Sequence, residues 1–195
     1  MGNREQLLQA AKSCLVDLGY SHTSARDIAS AAGVSTAAIG YHYGTKDALL
    51  TAALLEALQE WGESLVERVA KAAPGSSPAE HFLATWEGMV ESMRTDPALW
   101  RIQFDMLGAM DRNPRLREIL ADANRSARLA LVSMLGDPRG QAAGEDEVAE
   151  QIGSLYQALL CGVSAQQLVD AETAIAGPSL VAAITSVGQM VTTDR

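Results

Sequence analysis

Thr23-Ser24-Ala25-Arg26-Asp27-Ile28-Ala29-Ser30-Ala31-Ala32-Gly33-Val34-Ser35-Thr36-Ala37-Ala38-Ile39-Gly40-Tyr41-His42-Tyr43 reads as two short helices joined by a sharp turn. Ser24 is placed to cap the first helix, and Asp27 sits three residues on, where a carboxylate can bond back to the cap. Ala29 is small enough for a second helix to cross close over it. Gly33, four residues later, can take the left-handed conformation that turns the chain abruptly. Ser35 is placed to cap the second helix, and Ile39 to pin it inward. A small residue, a glycine at plus four and a branched apolar residue at plus ten make the spacing of a helix-turn-helix, whose second helix lies in a DNA major groove.

Once Ile39 points inward, Ser35, Thr36, Ala37, Tyr41 and His42 occupy the outward arc of the second helix. The Thr36 hydroxyl can bond a base edge, and the Ala37 methyl can meet a thymine methyl. Tyr41 and His42 suit phosphates or the groove edge better than base readout. Ser24, Thr23 and Lys46 stand at flanking helix ends, where contacts to the DNA backbone position a protein without specifying a sequence.

The match extends beyond a generic motif. Thr23-Ser24, Asp27-Ile28-Ala29, Ala32-Gly33-Val34-Ser35, Tyr41-His42-Tyr43 and Lys46-Asp47-Ala48-Leu49-Leu50 keep an order and spacing that together resemble the N-terminal domain of the TetR family of bacterial transcriptional regulators. The resemblance covers about the first fifty residues; beyond them it is architectural. It implies that Thr23, Ser24, Ser35, Thr36, Ala37, Tyr41, His42 and Lys46 face DNA and that Tyr43 replaces a buried Phe. Gly40 departs from the pattern: many relatives carry an aromatic residue there that touches a phosphate, so no contact is carried over to it. Glycine in a helix interior costs about 1 kcal/mol relative to alanine.

A net charge of −9 over 195 residues looks unsuited to a DNA binder until it is divided. Residues 1–50 balance Arg4, Lys12, Arg26 and Lys46 against Glu5, Asp17, Asp27 and Asp47, leaving 11 basic and 20 acidic groups for residues 51–195. The acidic remainder would repel DNA and the N-terminal face would tolerate it. Few phosphates can be neutralised per subunit, so non-specific affinity should be modest. No apolar run approaches the roughly 20 residues of a membrane span, and the N-terminus lacks a secretory core. Cys14 and Cys161 each sit in an apolar helical context and read as reduced thiols. A cytoplasmic location is expected.

The remaining pattern is all-α. Leu7, Leu8, Ala11, Leu15 and Leu18 recur at helical spacing, with Asn3 as a candidate cap and Gly19 as a stop. A long helix from Lys46 to Ala73 carries Leu50, Leu54, Leu58, Trp61, Leu65 and Val69 on one stripe. It ends at a linker, Pro74-Gly75-Ser76-Ser77-Pro78. Further helices are expected over 78–95, 97–110, 114–135, 145–171 and 178–191, with a loop over Gly136–Gly144. Glu145, Asp146, Glu147 and Glu150 make an acidic start to the fourth of these. We therefore expect a three-helix DNA-binding domain over 1–50, joined by the long helix to a ligand-binding and dimerisation domain over 51–195.

In that second domain Trp86, Met89 and Met93 share a face, Trp100 and Phe104 share another, and Tyr156 can meet them. Large adaptable side chains of this kind can line a cavity or simply form core. The resemblance implies a pocket for a small, largely apolar effector, with Arg101, Gln103, Asp105, Gln157 and Gln167 as candidate polar anchors. Leu155, Leu159, Val163, Leu180, Ala183, Ile184 and Val187 carry apolar surface on more than one side, which the resemblance assigns to a homodimer interface. No nucleophile elbow, phosphate loop or HExxH occurs, and His22, His42 and His81 have no metal-ligand spacing. The expectation is a regulator without enzymatic activity, metal or cofactor, most simply a repressor released from a palindromic operator by its effector. The alternative is a constitutive DNA-binding or architectural protein whose body is solid core.

Overall fold

The computed structural model describes residues 2–72, 77–139, 147–175 and 177–193. The expected linker over Pro74-Gly75-Ser76, most of the Gly136–Gly144 loop, and Glu145 and Asp146 lie outside the described residues. Within them the regular structure is helical: α1 (Asn3–Leu18), α2 (Ala25–Ala32), α3 (Ala37–Tyr43), α4 (Lys46–Ala72), α5 (Pro78–Thr95), α6 (Ala98–Ala109), α7 (Pro114–Leu135), α8 (Glu147–Val169) and α9 (Gly177–Thr193), with one 3-10 turn at Met110–Arg112.

Local chemistry accounts for most of these ends. The Ser24 side chain accepts from the Asp27 N–H while the Asp27 carboxylate accepts from the Ser24 N–H, a complete capping box. Ser77 and Glu80 repeat the device at α5, with Pro78 in its first turn. Gly33 ends α2 in the left-handed conformation (φ 67°, ψ 28°), which a side chain would strain. Its N–H bonds to Ser30 and the Val34 N–H reaches Ala29, so the last turn closes on itself. Two expected caps differ. Gly2, not Asn3, precedes α1 and offers no side chain. At α3 the cap position falls on Thr36, which makes no side-chain cap bond; the turn is opened instead by Ala38 N–H to Ser35 carbonyl and Ile39 N–H to Thr36 carbonyl.

The chain divides into two compact units, one of residues 1–62 and 98–124, the other of 63–97 and 125–195. The first is larger than the 1–50 segment. Its core joins Leu7, Leu8, Ala11, Leu15, Ile28, Ala29 and Ile39 to Leu49, Leu50, Ala53 and Leu54 of α4, and also to Ile102, Met106 and Leu116. Three short helices alone leave apolar surface on α1 and α4, and α6 with the start of α7 covers it. Polar ties act in the same place. Ser21 donates from N–H and hydroxyl to the Asp105 carboxylate (2.9 and 2.5 Å). Tyr20 and Asn113 both donate to the carboxylate of Asp47 (2.9 and 2.8 Å).

The second unit is built on α5, which packs against α8 and α9. Trp86, Met89 and Met93 lie on the buried side of α5, with Leu65 and Val69 of α4 and Leu131, Val132 and Leu135 of α7 also buried. Gly153 lets α8 approach the α7 backbone: a Cβ there would lie 2.5 Å from the Arg128 carbonyl oxygen. His81 Nε2 meets the Met134 carbonyl (2.9 Å), and the Tyr156 hydroxyl donates to Gly136 (3.0 Å).

Candidate nucleic-acid interface

Helix α3 is fixed from beneath and open above. Ile39 is buried in the first unit, while Ser35, Thr36, Ala37, Gly40 and Tyr41 are exposed. Tyr41 is 86 % exposed, an unusual state for an aromatic ring, and meets the half-buried His42 edge-on at 4.8 Å. Nothing lies within 4 Å of where a Cβ would stand on Gly40, and its φ is not positive, so folding does not require a glycine there. Ser35, Thr36, Ala37 and Tyr41 thus share the outward arc expected of them, with His42 at its edge. Ser24 is exposed at the start of α2, its hydroxyl engaged in the cap.

Thr23 departs from the expectation. It is 2 % exposed, and its hydroxyl donates to the carbonyls of Gly19 (2.6 Å) and Cys14 (3.2 Å). The side chain locks the α1–α2 turn and cannot reach a phosphate. Lys46 is intermediate: its ammonium donates to the Thr23 carbonyl (2.9 Å), lies 3.7 Å from Asp47 and 5.5 Å from the centre of the Tyr20 ring. With three donors and 31 % of its side chain exposed, it can hold the turn and still present charge. Tyr43 is half-buried and donates its hydroxyl to the Arg4 carbonyl (2.9 Å). Arg4, which the sequence offered only as a charge at the start of the first helix and not as a site residue, has its guanidinium 5.4 Å from the centre of the Tyr43 ring.

The residues expected around an effector divide between the units. Trp86, Met89, Met93 and Tyr156 belong to the second, where Phe82 links Trp86 and Tyr156 through ring contacts at 6.3 and 5.9 Å. Trp100 and Phe104 belong to the first, and Trp100 packs edge-on against Trp61 at 5.1 Å. Of the candidate anchors, Asp105 holds Ser21, Gln157 accepts from Arg128 (3.0 Å), and Arg101 is exposed. Trp86 is fully buried, and among the described residues its indole N–H has no hydrogen-bond partner; the same holds for the amide oxygen of the buried Gln167. Burial pushes the Tyr156 phenol and the Cys161 thiol above their ordinary pKa values. On the expected dimer face, Leu155 and Val187 are well exposed and Ala183 lies outward, while Leu159 and Ile184 are half-buried. Val163 and Leu180 instead point inward (3 % and 5 % exposed) and serve the core of the second unit. Val169, Met190 and Val191 are exposed apolar residues that the sequence pattern did not single out. Among the described residues, no group of three or more His, Cys, Asp or Glu side chains is placed to hold a metal ion.

A left-handed glycine turn between two short helices, the second presenting hydroxyl, methyl and phenol groups to solvent, defines a helix-turn-helix protein of the all-α class. Residues 7–53 match the model of the bacterial regulatory proteins of the tetR family. Over these residues the chain is similar to the TetR family. It is 32 % identical over 106 residues to the HTH-type transcriptional regulator BetI 1 of Chromohalobacter salexigens, covering 51 % of this chain and 52 % of that one. The chain thus spans about half the length of the curated relatives it matches. A solved structure from Pseudomonas aeruginosa PAO1 is similar over 87 % of this chain and 81 % of its own, with a TM-score of 0.64 and 26 % identity. A TetR transcription regulator from Haloarcula marismortui shares the fold over 86 % of each chain (TM-score 0.62, 22 % identity).

Proposed function

We propose that this chain is a ligand-responsive transcriptional regulator, a homodimeric repressor that binds a palindromic operator through α3 and releases it when a small, largely apolar molecule binds its C-terminal domain. The observation that carries the reading is the exposed arc of Thr36, Ala37 and Tyr41 on a helix held rigidly by Ile39 and the Gly33 turn. Thr36 offers a hydroxyl to a base edge and Ala37 a methyl to thymine. Tyr41, His42, Ser24, Ser35 and Lys46 flank them as phosphate or groove-edge contacts. In a dimer two such helices would enter successive major grooves about 34–36 Å apart.

Support for an effector comes from the second unit. Trp86, Met89, Met93 and Tyr156 supply an aromatic and thioether surface, and the orphaned Trp86 N–H suits a ligand that carries a hydrogen-bond acceptor. Helix α4 has residues in both units and is our candidate for transmission, with a coupling of about 1–3 kcal/mol. Outward apolar residues on α8 and α9, Leu155, Ala183 and Val187 among them, support the dimer.

The test is fluorescence anisotropy on duplexes enriched by the protein from a random-sequence pool, at two salt concentrations. Selective binding weakened by Thr36→Ala or His42→Ala is the expected result; failure to enrich any sequence would sink the proposal. A thermal-shift screen of neutral aromatic compounds then separates the ligand-responsive regulator from a constitutive one, which no compound would both stabilise and release from DNA.

A further inference from the structure

We infer that Arg4, held by Tyr43 at the end of the recognition helix, is a phosphate-binding residue of the DNA interface. The inference rests on the DNA-binding reading and adds to it a residue from α1. Tyr43 closes α3, and it holds Arg4 in two ways: its hydroxyl donates to the Arg4 carbonyl at 2.9 Å, and the guanidinium carbon lies 5.4 Å from its ring centre. Attraction between the cation and the ring holds the guanidinium at Tyr43. Its five N–H donors form a planar fork that matches two phosphate oxygens. An arginine already placed this way loses less freedom on binding than a long side chain in open water.

Among the basic groups of residues 1–50, Arg4 is the one least offset by its neighbours. Lys12 lies between Glu56 (2.5 Å) and Glu60 (2.7 Å), so two carboxylates outweigh its single charge. Lys46 divides itself between the Thr23 carbonyl, the Tyr20 ring and Asp47. Arg26 stands beside the capping carboxylate of Asp27, which is held below the ordinary carboxylate range by its bonds to Ser24 and so stays charged. Glu5 follows Arg4 in sequence but accepts from Gln9 one turn along α1 (3.4 Å). Arg4 is itself exposed, and among the described residues no carboxylate lies within ion-pair distance of it. It is therefore a cation at Tyr43, the last residue of the reading helix, in a segment whose net charge is zero.

Salt dependence counts such contacts directly, because each neutralised phosphate releases condensed counterions. Binding to a random-sequence 40-base-pair duplex would be followed from 50 to 200 mM salt for the wild type, Arg4→Ala, Arg4→Lys and Arg68→Ala. Arg68 lies on an exposed part of α4 in the second unit and removes the same charge elsewhere. The expected result is that Arg4→Ala lowers the slope of log K against log salt by about 0.9 per bound protomer, which over this fourfold range is about a 3.5-fold smaller loss of affinity. Arg4→Lys should restore the slope while binding more weakly than wild type, since the charge returns without the bidentate fork. Arg68→Ala should leave the slope unchanged. An unchanged slope in Arg4→Ala, or an equal drop in Arg68→Ala, would overturn the inference while leaving the DNA-binding reading intact. Absence of salt-dependent binding by the wild type would remove both. Far-UV circular dichroism of each variant guards against unfolding as the cause of any loss.

Discussion

Two glycines in helix interiors show how one residue type can serve opposite ends. At Gly153 a Cβ would press within 2.5 Å of the Arg128 carbonyl oxygen, against rigid backbone. Gly153→Ala should therefore force α7 and α8 apart and cost about 1–3 kcal/mol, seen as a lower thermal midpoint. Gly40 has open space around it and an ordinary φ. Gly40→Ala should stabilise the protein by up to about 1 kcal/mol, because alanine is the better helix former. If the α3 backbone lies close against base edges, the same methyl should weaken operator binding, so stability and affinity would move in opposite directions in one variant. A variant that gains stability and binds equally well would place Gly40 outside the contact. Thr36→Ala should cost about 1–3 kcal/mol of discrimination at one base pair and leave the salt slope unchanged, because it removes base readout and no phosphate contact.

At the scale of helices and turns, the α1–α2 connection is where distant elements converge. Asp105 of α6 accepts two bonds from Ser21, a partner 84 residues away in sequence, and Asn113 at the start of α7 donates to Asp47 across 66. Burial alone would raise the Asp105 pKa, but the Ser21 bonds outweigh it and hold the carboxyl below its usual range. A carboxylate with a depressed folded pKa contributes stability above its unfolded value, about pH 4, and loses it as pH falls through the lower folded value. Asp105→Asn should thus lower stability by about 1 kcal/mol near neutral pH. The deficit should shrink towards zero in acid, which thermal melts between pH 2.5 and 7 would reveal; a deficit independent of pH would mean the charge is not what Ser21 reads. These ties also mark what was legible beforehand. The capping box of Ser24 and Asp27, the Gly33 turn and the inward Ile39 could be read because each depends on residues within one or two turns. The burial of Thr23 could not, since a threonine at a helix end looks the same whether its hydroxyl meets solvent or the carbonyls of Cys14 and Gly19. Asp105, read as a possible ligand anchor, and Arg4, not singled out, depend on partners that only the folded chain brings near. Residues 98–124 joined the first unit for the same reason: helical periodicity reports that a face is apolar, not which neighbour covers it.

For the whole molecule the informative surface is the set of exposed apolar residues on α8 and α9. Leu155, Val169, Val187, Met190 and Val191 are between 55 % and 88 % exposed, more bulky apolar surface than a lone chain gains by leaving in water. Val163 and Leu180 already serve the interior, so the face that remains is set by Leu155 and Val187 together with Ala183 and small neighbours such as Ala158 and Gly162. Small residues of this kind permit close helix approach, and a twofold interface would bring the same patch of each copy together. A single recognition helix reads few base pairs, whereas two on one rigid dimer convert the second contact into an intramolecular event. The double variant Leu155→Glu, Val187→Glu should therefore sediment as a monomer with its helical circular dichroism intact. Its affinity for a selected palindrome should fall by at least about 100-fold, the low end of what linking two sites provides. Its affinity for a duplex carrying one half-site should stay close to that of the wild type, because Thr36, Ala37 and Tyr41 are untouched. A variant that remains dimeric would move the interface off this face, and a monomer that still grips the palindrome at full strength would show that dimerisation does not carry the readout.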